Sequence, residues 1–453
     1  MHKIIRLLTS EIVFWMAWII IPLLVEIIPA FFGGLLLIVK RLRYKKEKEL
    51  TYFPEITLII PVYNSADTLR SCMDSVANSS YPVERISLML VDNGSKDNSF
   101  EIYQKYQSEH PEMNAKWFHA KQGKSKALNM ALFNSDGKYI IHIDSDGKLH
   151  PEAIMNMVKR FEANEDIHCM TGAILTTPEL IDQEKKLGMR IVKKLELLEY
   201  AQAFLAGRNY EAELNSIFTL SGAFSAFRKS TILKTQLYNT ETVCEDTHVT
   251  FQIRYLLKKK IDICENSIFF VEPIESINKL YVQRQRWQRG ELEVLHMFPK
   301  EKRKTKKASG LVSSVLIFDH TFAFPRMLWY FALVFLCFVG YPAKYLIFSS
   351  VAIYVLYVLS ALMYYLNVCM FLHWDKELLR YYRRKVLYVF GLPAFNFVVY
   401  WFRLAGIVNS IRTASTWKTK GFDEEVSLVK RIIARDFRVV RRTVAKIRKK
   451  IYQ

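Results

Sequence analysis

The stretch Tyr139-Ile140-Ile141-His142-Ile143-Asp144-Ser145-Asp146-Gly147 decides the fold class of this chain. Residues 139–143 predict a short buried strand that ends in acidic, turn-forming residues. Two similar apolar runs precede it, at Ile56–Pro61 and Ile86–Val91, with helical stretches between them. We therefore expect an α/β fold with a mixed, mostly parallel sheet. In such sheets ligands bind beyond the carboxyl ends of the strands, where these acidic loops lie.

The two carboxylates of Asp144 and Asp146 are the first candidate ligands. Both can project from one turn at the end of a strand, and close carboxylates repel each other unless a cation lies between them. Hard oxygen ligands suit Mg²⁺ or Mn²⁺, and such ions commonly also bind diphosphate oxygens. The alternative is a plain Asp-Gly turn, and the position after a buried strand favours the metal site.

Two other polar features of the sequence could also bind a ligand. Asp92 also ends a predicted strand, so it could bind a base or ribose, although it could equally serve the turn. Residues 123–129, Gly-Lys-Ser-Lys-Ala-Leu-Asn, form a basic loop that opens a helix and could contact phosphate, or could be merely solvated.

Two later motifs contain charged residues that could act in catalysis or in substrate binding. The pair Glu245-Asp246 could supply a general base, because one carboxylate raises the pKa of its neighbour, or it could be ordinary surface charge. In residues 283–287, Gln-Arg-Gln-Arg-Trp, arginine could bind diphosphate and tryptophan could stack on a sugar. The alternative for the second motif is a patch for nucleic acid or lipid headgroups.

The composition indicates a soluble domain joined to membrane helices. Of the 453 residues, 51% are hydrophobic and 14% aromatic, yet 24% are charged. The net charge of +20 would attract either nucleic acid or the anionic inner leaflet, and the apolar runs favour the membrane. The six cysteines contain no C-x-x-C pair, which is typical of reduced thiols in the cytosol.

Apolar runs flank the α/β domain on both sides. The N-terminal run, 12–39, is long enough to cross a bilayer and is followed by basic residues that mark the cytoplasmic side. Further candidate spans cover 327–343, 346–372 and 386–408, and residues 310–325 predict an interfacial helix. The predicted parts are an N-terminal transmembrane helix (1–40), a basic linker (41–52), the α/β domain (53–300), an interfacial helix with C-terminal transmembrane helices (301–411) and a basic amphipathic cytoplasmic tail (412–453).

The number of spans conflicts with the charge of the tail. With the α/β domain inside the cell, three full C-terminal spans would leave the basic tail outside, against the positive-inside rule. We therefore expect one run to be re-entrant or a hairpin. The best candidate is 386–408, which Pro393 interrupts and which carries Arg403.

Taken in their order along the chain, the motifs resemble those of the processive-type family 2 glycosyltransferases, such as bacterial poly-N-acetylglucosamine, hyaluronan and cellulose synthases. The ordered set is Pro61-Val62-Tyr63-Asn64, Asp92, the loop 123–129, Asp144-x-Asp146, Glu245-Asp246 and Gln283-x-x-Arg286-Trp287. It covers about residues 53–300, and the flanking spans match in layout. A branch linked to bacterial exosortase systems is also similar. Cys244 stands where the family often has Thr, and Trp417–Lys420 resembles a cytoplasmic motif of hyaluronan-type synthases with Lys in place of Gly and Arg.

The resemblance implies a GT-A-like (Rossmann-like) domain with assigned residues. The nucleotide and donor sugar would be bound by Pro61, Tyr63, Asn64, Asp92, Lys124, Asp144 and Arg286. Asp146, with Asp144, would hold Mg²⁺ or Mn²⁺. Asp246 would be the catalytic base, with Glu245 beside it, and Gly222, Gln283 and Trp287 would contact the acceptor or product.

The implied reaction is inverting transfer from a UDP-sugar, such as UDP-N-acetylglucosamine, to a growing polysaccharide or other glycan. The expected setting is the inner face of a bacterial cell membrane, in a multi-pass protein that has a cytoplasmic catalytic domain. A membrane partner could complete an export pore, and no nucleic-acid partner is expected. The alternatives are single transfer to a lipid-linked or protein-linked acceptor and, more remotely, a membrane transport or nucleic-acid-binding protein.

Overall fold

The computed structural model describes residues 23, 27–43, 49–298, 335, 337–338, 342–412, 421–427 and 430–431. Several sequence-based predictions lie wholly or largely outside these residues. They are the first part of the N-terminal span, the interfacial helix at 310–325, the span at 327–343, the Trp417–Lys420 motif and most of the basic tail. The structure therefore bears on the α/β domain, on one helix before it and on two long helices after it.

Within the described residues, eight strands form one sheet in the order β3-β2-β1-β4-β7-β6-β8-β5. Their bounds are β1 Ile56–Val62, β2 Ile86–Asp92, β3 Asn114–His119, β4 Tyr139–Ile143, β5 Gly147–Leu149, β6 Ile167–Thr176, β7 Phe224–Arg228 and β8 Lys260–Val271. The pairs β1–β2, β1–β4, β2–β3 and β6–β8 are parallel. The pairs β4–β7, β6–β7 and β5–β8 are antiparallel. The predicted mixed, mostly parallel sheet is thus confirmed.

The three strands predicted from apolar runs are central in the sheet. All residues of β1 and β4 are buried, because helices cover both faces of the sheet at this point. Parallel pairing of β2, β1 and β4 brings their carboxyl ends to one edge. The loops that begin at Asp92 and Asp144 therefore open on the same side of the domain, as the sequence predicts.

Helices cover the sheet and extend from it. Their bounds are α1 Ile28–Arg43, α2 Leu69–Ala77, α3 Ser99–Glu109, α4 Lys124–Phe133, α5 Ala153–Ala163, α6 Pro178–Asp182, α7 Leu187–Tyr200, α8 Arg208–Glu213, α9 Lys229–Ile232, α10 Glu245–Phe251, α11 Ile277–Met297, α12 Ala343–Phe371, α13 Lys376–Arg383 and α14 Leu392–Arg412. A π-helical segment, Ala201–Gly207, joins α7 to α8, and another, Gln252–Leu256, follows α10.

Among the residues that the structure describes, two apolar segments could cross a membrane by length and composition alone: Ala343–Trp374, and Val386–Ser410, in which α14 begins. The second segment is not one regular helix, because Val386–Gly391 is a 3-10 turn and α14 begins at Leu392. Before the domain, α1 packs on α12 and is tied to the domain by Lys40, whose Nζ lies 3.1 Å from Glu213 Oε1.

The start of the helix after β1 differs from what its sequence predicts. Ser65 and Asp67 are residue types that commonly cap helices, but α2 begins after Thr68 and has no side-chain cap. The Ser65 hydroxyl instead lies 2.7 Å from the Ser145 hydroxyl, in the loop after β4. Ser65 therefore joins two functional loops, a contact between residues 80 positions apart that a local capping rule does not consider.

Candidate active site

Lys124 is the electrostatic centre of the site. It is the first residue of α4, and its Nζ lies 2.5 Å from Asp144 Oδ1 and 3.8 Å from Glu245 Oε1. It also donates a hydrogen bond to the Gly222 carbonyl at 3.2 Å. Burial opposes its charge, but Asp144 and then Glu245 outweigh that effect and raise the pKa of Lys124. The ammonium therefore stays charged and connects three separate loops.

The two aspartates of the loop after β4 have opposite electrostatic environments. Burial alone would raise the pKa of Asp144, but the Lys124 ammonium outweighs it and holds this pKa well below its usual range. For Asp146, desolvation and then the negative charge of Asp144 raise the pKa to about 6. Asp144 is thus a fixed anion, whereas Asp146 is a carboxylate that an added cation would stabilise in its charged form.

These two carboxylates fit a divalent cation that is shared with a ligand. Among the described residues, no group of three or more His, Cys, Asp or Glu side chains surrounds a single point, so the protein alone offers no closed cage. Mg²⁺-type ions are commonly bound by one or two carboxylates together with substrate phosphates and water. The raised pKa of Asp146 beside a second carboxylate matches that donor set.

Glu245, which is buried, and Asp246, which is half-buried, form an acidic pair in the first turn of α10. The Asp246 carboxylate accepts a hydrogen bond from Thr247 N at 2.7 Å and another from the backbone N–H of Gly222. Burial is the largest influence on both groups and raises both pKa values, and mutual repulsion adds to the rise at Glu245. Such a pair holds a carboxylate that is more basic than usual, as a general base requires.

Two glycines keep the acidic pair close to its neighbours. A Cβ at Gly222 would lie 2.9 Å from Asp246 Oδ2, so only glycine lets the backbone approach this carboxylate. A Cβ at Gly290 would lie 2.0 Å from the Sγ of Cys244. Gly290 therefore allows α11 to pack directly against the start of α10.

Helix α11 carries the predicted Gln283, Arg286 and Trp287. The buried Arg284, which was not singled out from the sequence, organises this turn. Its guanidinium pairs with Glu199 at 2.5 Å and lies 4.5 Å from the centre of the Trp287 ring. Trp287 is thus fixed from one side by a cation–π contact, which leaves its position well defined.

A cavity of about 610 Å³ brings most of these residues together. Of the residues predicted from the sequence, its lining includes Lys124, Asp144, Asp146, Gly222, Glu245, Asp246, Gln283, Arg286 and Trp287. They come from the loops after β4 and before β7 and from the helices α4, α10 and α11. Along the chain, the first and the last of them are more than half of the domain apart. A volume of this size suits a substrate-sized ligand.

The remaining predicted residues lie at the carboxyl ends of β1 and β2 and not in the cavity lining. Pro61 is buried in β1, Tyr63 is 48% exposed, and Asn64 Oδ1 accepts a hydrogen bond from Lys96 N at 2.8 Å. Asp92 Oδ1 accepts a hydrogen bond from Ser95 N at 2.8 Å, and its Oδ2 lies 3.3 Å from His119 Nδ1. Tyr63, Asn64 and Asp92, which are exposed or partly exposed, form a shallow surface beside the cavity.

This surface adjoins the cavity through one contact. Asn93, which follows β2, accepts a hydrogen bond from the backbone N–H of Gly123 through its Oδ1. Gly123 directly precedes Lys124, and its φ of 132° is in the region that favours glycine. One ligand with two ends could therefore lie across both parts of the site.

The cavity extends to residues that sequence reasoning did not select. The π-helical segment contributes Gln202, Ala203, Phe204 and Gly207, and π-helical turns are frequent at functional sites. The long C-terminal helices contribute Tyr364, Asn396, Val399, Tyr400 and Arg403. For Asn396 and Arg403 the sequence does offer a signal, because both are polar residues within a long apolar stretch of helix.

Comparisons with known proteins identify similar sequences and folds. Residues 57–234 match the model of Glycosyl transferase family 2. The poly-beta-1,6-N-acetyl-D-glucosamine synthase of Staphylococcus epidermidis is 26% identical over 254 residues, which are 56% of this chain and 58% of the relative. The synthase of the same name from Staphylococcus aureus (strain MSSA476) is 25% identical over 240 residues, 53% of this chain and 55% of the relative. The chain thus spans a little over half the length of these curated relatives.

Among solved structures, the mannosyltransferase PcManGT from Pyrobaculum calidifontis, in complex with GDP-Man and Mn²⁺, matches with a TM-score of 0.58. The sequences are 17% identical, and the match covers 85% of this chain and 96% of that chain. At this identity the likeness concerns the fold alone. The family match covers the part of the site that contains Lys124, Asp144, Asp146 and Gly222, and it ends before Glu245. The domain that contains residues 57–234 therefore matches Glycosyl transferase family 2, has a GT-A-like fold and is similar to that of the poly-β-1,6-N-acetyl-D-glucosamine synthases.

Proposed function

We propose that the chain is a membrane-bound, metal-dependent, inverting glycosyltransferase. It transfers a sugar from a UDP-sugar, UDP-N-acetylglucosamine or a similar donor, to a growing polysaccharide or other glycan acceptor. The observation that carries the proposal is the single cavity in which Lys124, Asp144 and Asp146 lie beside the acidic pair. Anion-binding groups and a basic carboxylate within one cavity are what transfer from a nucleotide-diphosphate sugar requires.

The donor occupies both parts of the site in this proposal. Asp92, with Tyr63 and Asn64, contacts the nucleoside on the shallow surface, and Lys124 and Arg286 face the diphosphate. Asp146, with Asp144, would hold Mg²⁺ or Mn²⁺. When bound, this ion neutralises negative charge on the leaving diphosphate. Lys124 and Arg286 add positive charge where negative charge develops during transfer.

The two acidic residues have different roles. The Glu245 side chain is buried and lies 3.8 Å from the Lys124 ammonium, so we assign it to positioning that lysine. Asp246 lies against Gly222 in the cavity wall and takes the proton from the acceptor hydroxyl. That oxygen attacks the anomeric carbon from the face opposite the diphosphate, which leaves with the bonding electrons. One displacement of this kind inverts the configuration at the anomeric carbon.

The residues of the cavity define the acceptor less closely than the donor. Aromatic side chains line the cavity beyond Asp246, namely Tyr200, Phe204, Phe218, Trp287, Tyr364 and Tyr400, and such rings offer apolar faces to sugars. Gln283 contributes a polar group on the same side. The names of the curated relatives favour a polymer of N-acetylglucosamine. A single transfer to a lipid-linked acceptor is the second candidate, because the cavity reaches helices apolar enough to contact lipid.

The proposed location is a bacterial cell membrane, with the catalytic domain on the cytoplasmic side and several membrane passes. The long apolar helices and the net charge of +20, which suits anionic lipid, support it. A partner membrane protein that completes an export pore is part of the same proposal.

The test is UDP release by the purified full chain from a panel of UDP-sugars, with and without Mn²⁺ or Mg²⁺, followed by sizing of the product. We expect release from one preferred donor, dependence on the ion and a β-linked product from an α-linked donor. Asp246→Asn should abolish transfer while nucleotide binding persists. Long products indicate polymerisation, and products one sugar longer than the acceptor indicate single transfer. Normal transfer by Asp246→Asn, or no turnover of any UDP-sugar, would overturn the proposal.

A further inference from the structure

Asn129 ends the sequence motif 123–129, but it does not line the cavity, and the proposed chemistry does not use it. It lies on α4, the helix that begins at Lys124. Its side-chain amide makes two hydrogen bonds to one residue that is distant along the chain. Asn129 Oδ1 accepts from the backbone N–H of Tyr238 at 2.9 Å, and its Nδ2 donates to the Tyr238 carbonyl at 2.8 Å. An amide that pairs with both backbone groups of one residue fixes that residue against α4.

Tyr238 belongs to a short segment between α9 and α10, residues 236–239, which we call the bridge segment. Gln252, the first residue of the π-helical segment that continues α10, is fully buried and contacts the bridge segment as well. Gln252 Oε1 accepts from the backbone N–H of Gln236 at 2.6 Å, and its Nε2 donates to the Leu237 carbonyl at 2.9 Å. Two side-chain amides, one from each helical region, thus hold the same four residues.

A third contact joins the bridge segment to α10 itself. His248 Nε2 lies 3.3 Å from Asn239 Nδ2, and His248 Nδ1 lies 2.9 Å from the Nε2 of Gln252. His248 and Asp246 are both residues of α10, two positions apart. A displacement of the bridge segment is therefore carried to the helical turn that holds Asp246.

The bridge segment has a conformation that its neighbours must maintain. Leu237 has a φ of 60°, in the left-handed region that residues other than glycine rarely adopt. Tyr238 follows it and is buried, and its ring centre lies 6.3 Å from that of His142 in β4. Backbone in this region persists only where the surrounding contacts over-determine it. The amides of Asn129 and Gln252 supply such contacts.

Helix α4 is the fixed side of this connection. Four of its apolar residues are buried in the core cluster that includes residues of β1, β2 and β4: Ala127, Leu128, Ala131 and Leu132. The first turn of α10 is polar, and it meets its neighbours through hydrogen bonds such as the one between the Thr219 and Thr247 hydroxyls at 2.8 Å. Loss of the bridge contacts should therefore displace α10 and leave α4 in place.

We propose that Asn129 and Gln252 are positioning residues. Acting through the bridge segment, they hold α10, and with it the Asp246 carboxylate, at a fixed place relative to Lys124 on α4. Neither residue lines the cavity, so both act on the substrate only through other residues. The value of this placement for catalysis rests on the proposed function, in which Asp246 is the base. The mechanical connection between the two helices does not depend on that role.

Hydrogen–deuterium exchange of the full detergent-purified chain tests the connection without using activity. Asn129→Ala removes both bonds to Tyr238, and we expect peptides from α10 to exchange about five- to tenfold faster. Peptides from α5 should keep their rate. The matched control is Asn134→Ala, which removes an exposed amide at the end of the same helix and should change neither. Unchanged exchange in α10, or an equal increase in α5, would overturn the proposal.

A second variant covers the case in which the alanine variant does not fold. Asn129→Asp keeps the acceptor for the Tyr238 N–H and loses only the donor to the Tyr238 carbonyl. It should also speed exchange in α10 and leave α5 unchanged. The same two contrary results count against the proposal.

Kinetics show whether the connection matters for catalysis. With UDP-N-acetylglucosamine as the donor, Asn129→Ala and Gln252→Ala should each lower kcat about tenfold, because the base is misplaced. The Kd of UDP, measured by calorimetry, should stay within about twofold, because Lys124 remains on an anchored helix. The double variant should lose little more than the larger single loss, since both residues act on one segment.

Two kinetic results would contradict the positioning role. They are multiplied losses in the double variant, and a weakened UDP affinity with an unchanged kcat. If the parent chain turns over no UDP-sugar, the proposed function fails, while the exchange measurement still decides whether the bridge segment connects the two helices.

Discussion

At the scale of single residues, one lysine connects groups that the sequence places far apart. Lys124 bonds to Asp144 and to the Gly222 carbonyl and lies near Glu245, so one cation holds three loops around the cavity. A half-buried cation of this kind stabilises anions that would otherwise repel one another. Its removal should therefore alter the site more than the loss of one ligand contact would.

Lys124→Met should lower kcat/KM for the donor by about two orders of magnitude, because Asp144 and Glu245 lose their counter-ion and the diphosphate loses a positive group. Removing one electrostatic donor that faces charge developing in the transition state commonly costs about 10²- to 10³-fold in kcat. The matched control is Lys126→Met, which removes an exposed lysine from the same turn. Donor titration and steady-state kinetics check the prediction. Equal behaviour of the two variants would show that the buried contacts of Lys124 do not matter.

The acidic pair predicts a pH dependence with a definite sign. Because the folded protein raises the pKa of Asp246, the base form is lost at a pH above the ordinary carboxyl range near 4. We expect kcat/KM to fall about tenfold per pH unit below that raised pKa. The same shift means that the folded state holds its protons more tightly than the unfolded state. Lowering the pH through this window therefore stabilises the fold through these groups.

Thermal unfolding at each pH separates the two effects. Activity should fall while the melting temperature holds or rises, which excludes acid unfolding as the cause. A parallel fall of activity and melting temperature would contradict the assignment. Replacing Asp246 by Asn should remove the acidic limb from any residual activity.

At the scale of elements, the junction of α10 and α11 sets the distance between the base and the Gln283–Trp287 turn. Gly290 is the residue that permits this close approach, because a side chain there would overlap with Cys244. The sequence predicts the two motifs separately, since each has its own local pattern. Their contact depends on helix packing, which local patterns do not encode.

Gly290→Ala should destabilise the protein by roughly 1–3 kcal/mol, the usual range for overpacking a close contact. It should also lower kcat, because α11 must shift relative to α10. The double variant Gly290→Ala with Cys244→Gly should recover most of both losses, since glycine at position 244 leaves space for the added methyl group. Melting temperature and kcat of the two single variants and the double variant measure this coupling. Additive losses would show that the contact does not set the junction.

At the scale of the whole molecule, α1 and α12 hold the domain to the apolar helices. Gly34 of α1 faces α12 so closely that a Cβ would lie 2.6 Å from the Met363 Cγ. Lys40 continues the attachment through Asn209, whose Oδ1 accepts its hydrogen bond at 2.9 Å. The cavity residue Tyr364 follows Met363 directly, so this packing also bears on the site.

Gly34→Leu should separate α1 from α12 and lower the melting temperature of the detergent-purified chain by on the order of a few degrees. The matched control is Gly188→Ala in α7, where an added Cβ meets nothing within 4 Å. The control should be neutral or slightly stabilising, because alanine favours a helix over glycine. Differential scanning fluorimetry of both variants decides the point. An unchanged Gly34→Leu protein would show that the α1–α12 contact contributes little to stability.

The sequence by itself determined the mixed, mostly parallel sheet, the family resemblance and the charged residues of the cavity wall from Lys124 to Asp246. It did so because buried parallel strands are continuous apolar runs, and because motifs such as Asp144-x-Asp146 follow such strands directly. Those signals are local, and each lies within a few residues of the element it describes.

Tertiary structure alone decided which of these residues meet and what α14 contacts. Lys124, Gly222 and Glu245 are brought together by loops from different strands and helices, and only packing sets their distances. Composition gives α14 the appearance of a span, but hydropathy does not report what a helix touches. The contacts of its two flanks with Asp182 and Asn278 do so, because ion pairs and hydrogen bonds act only over a few ångströms.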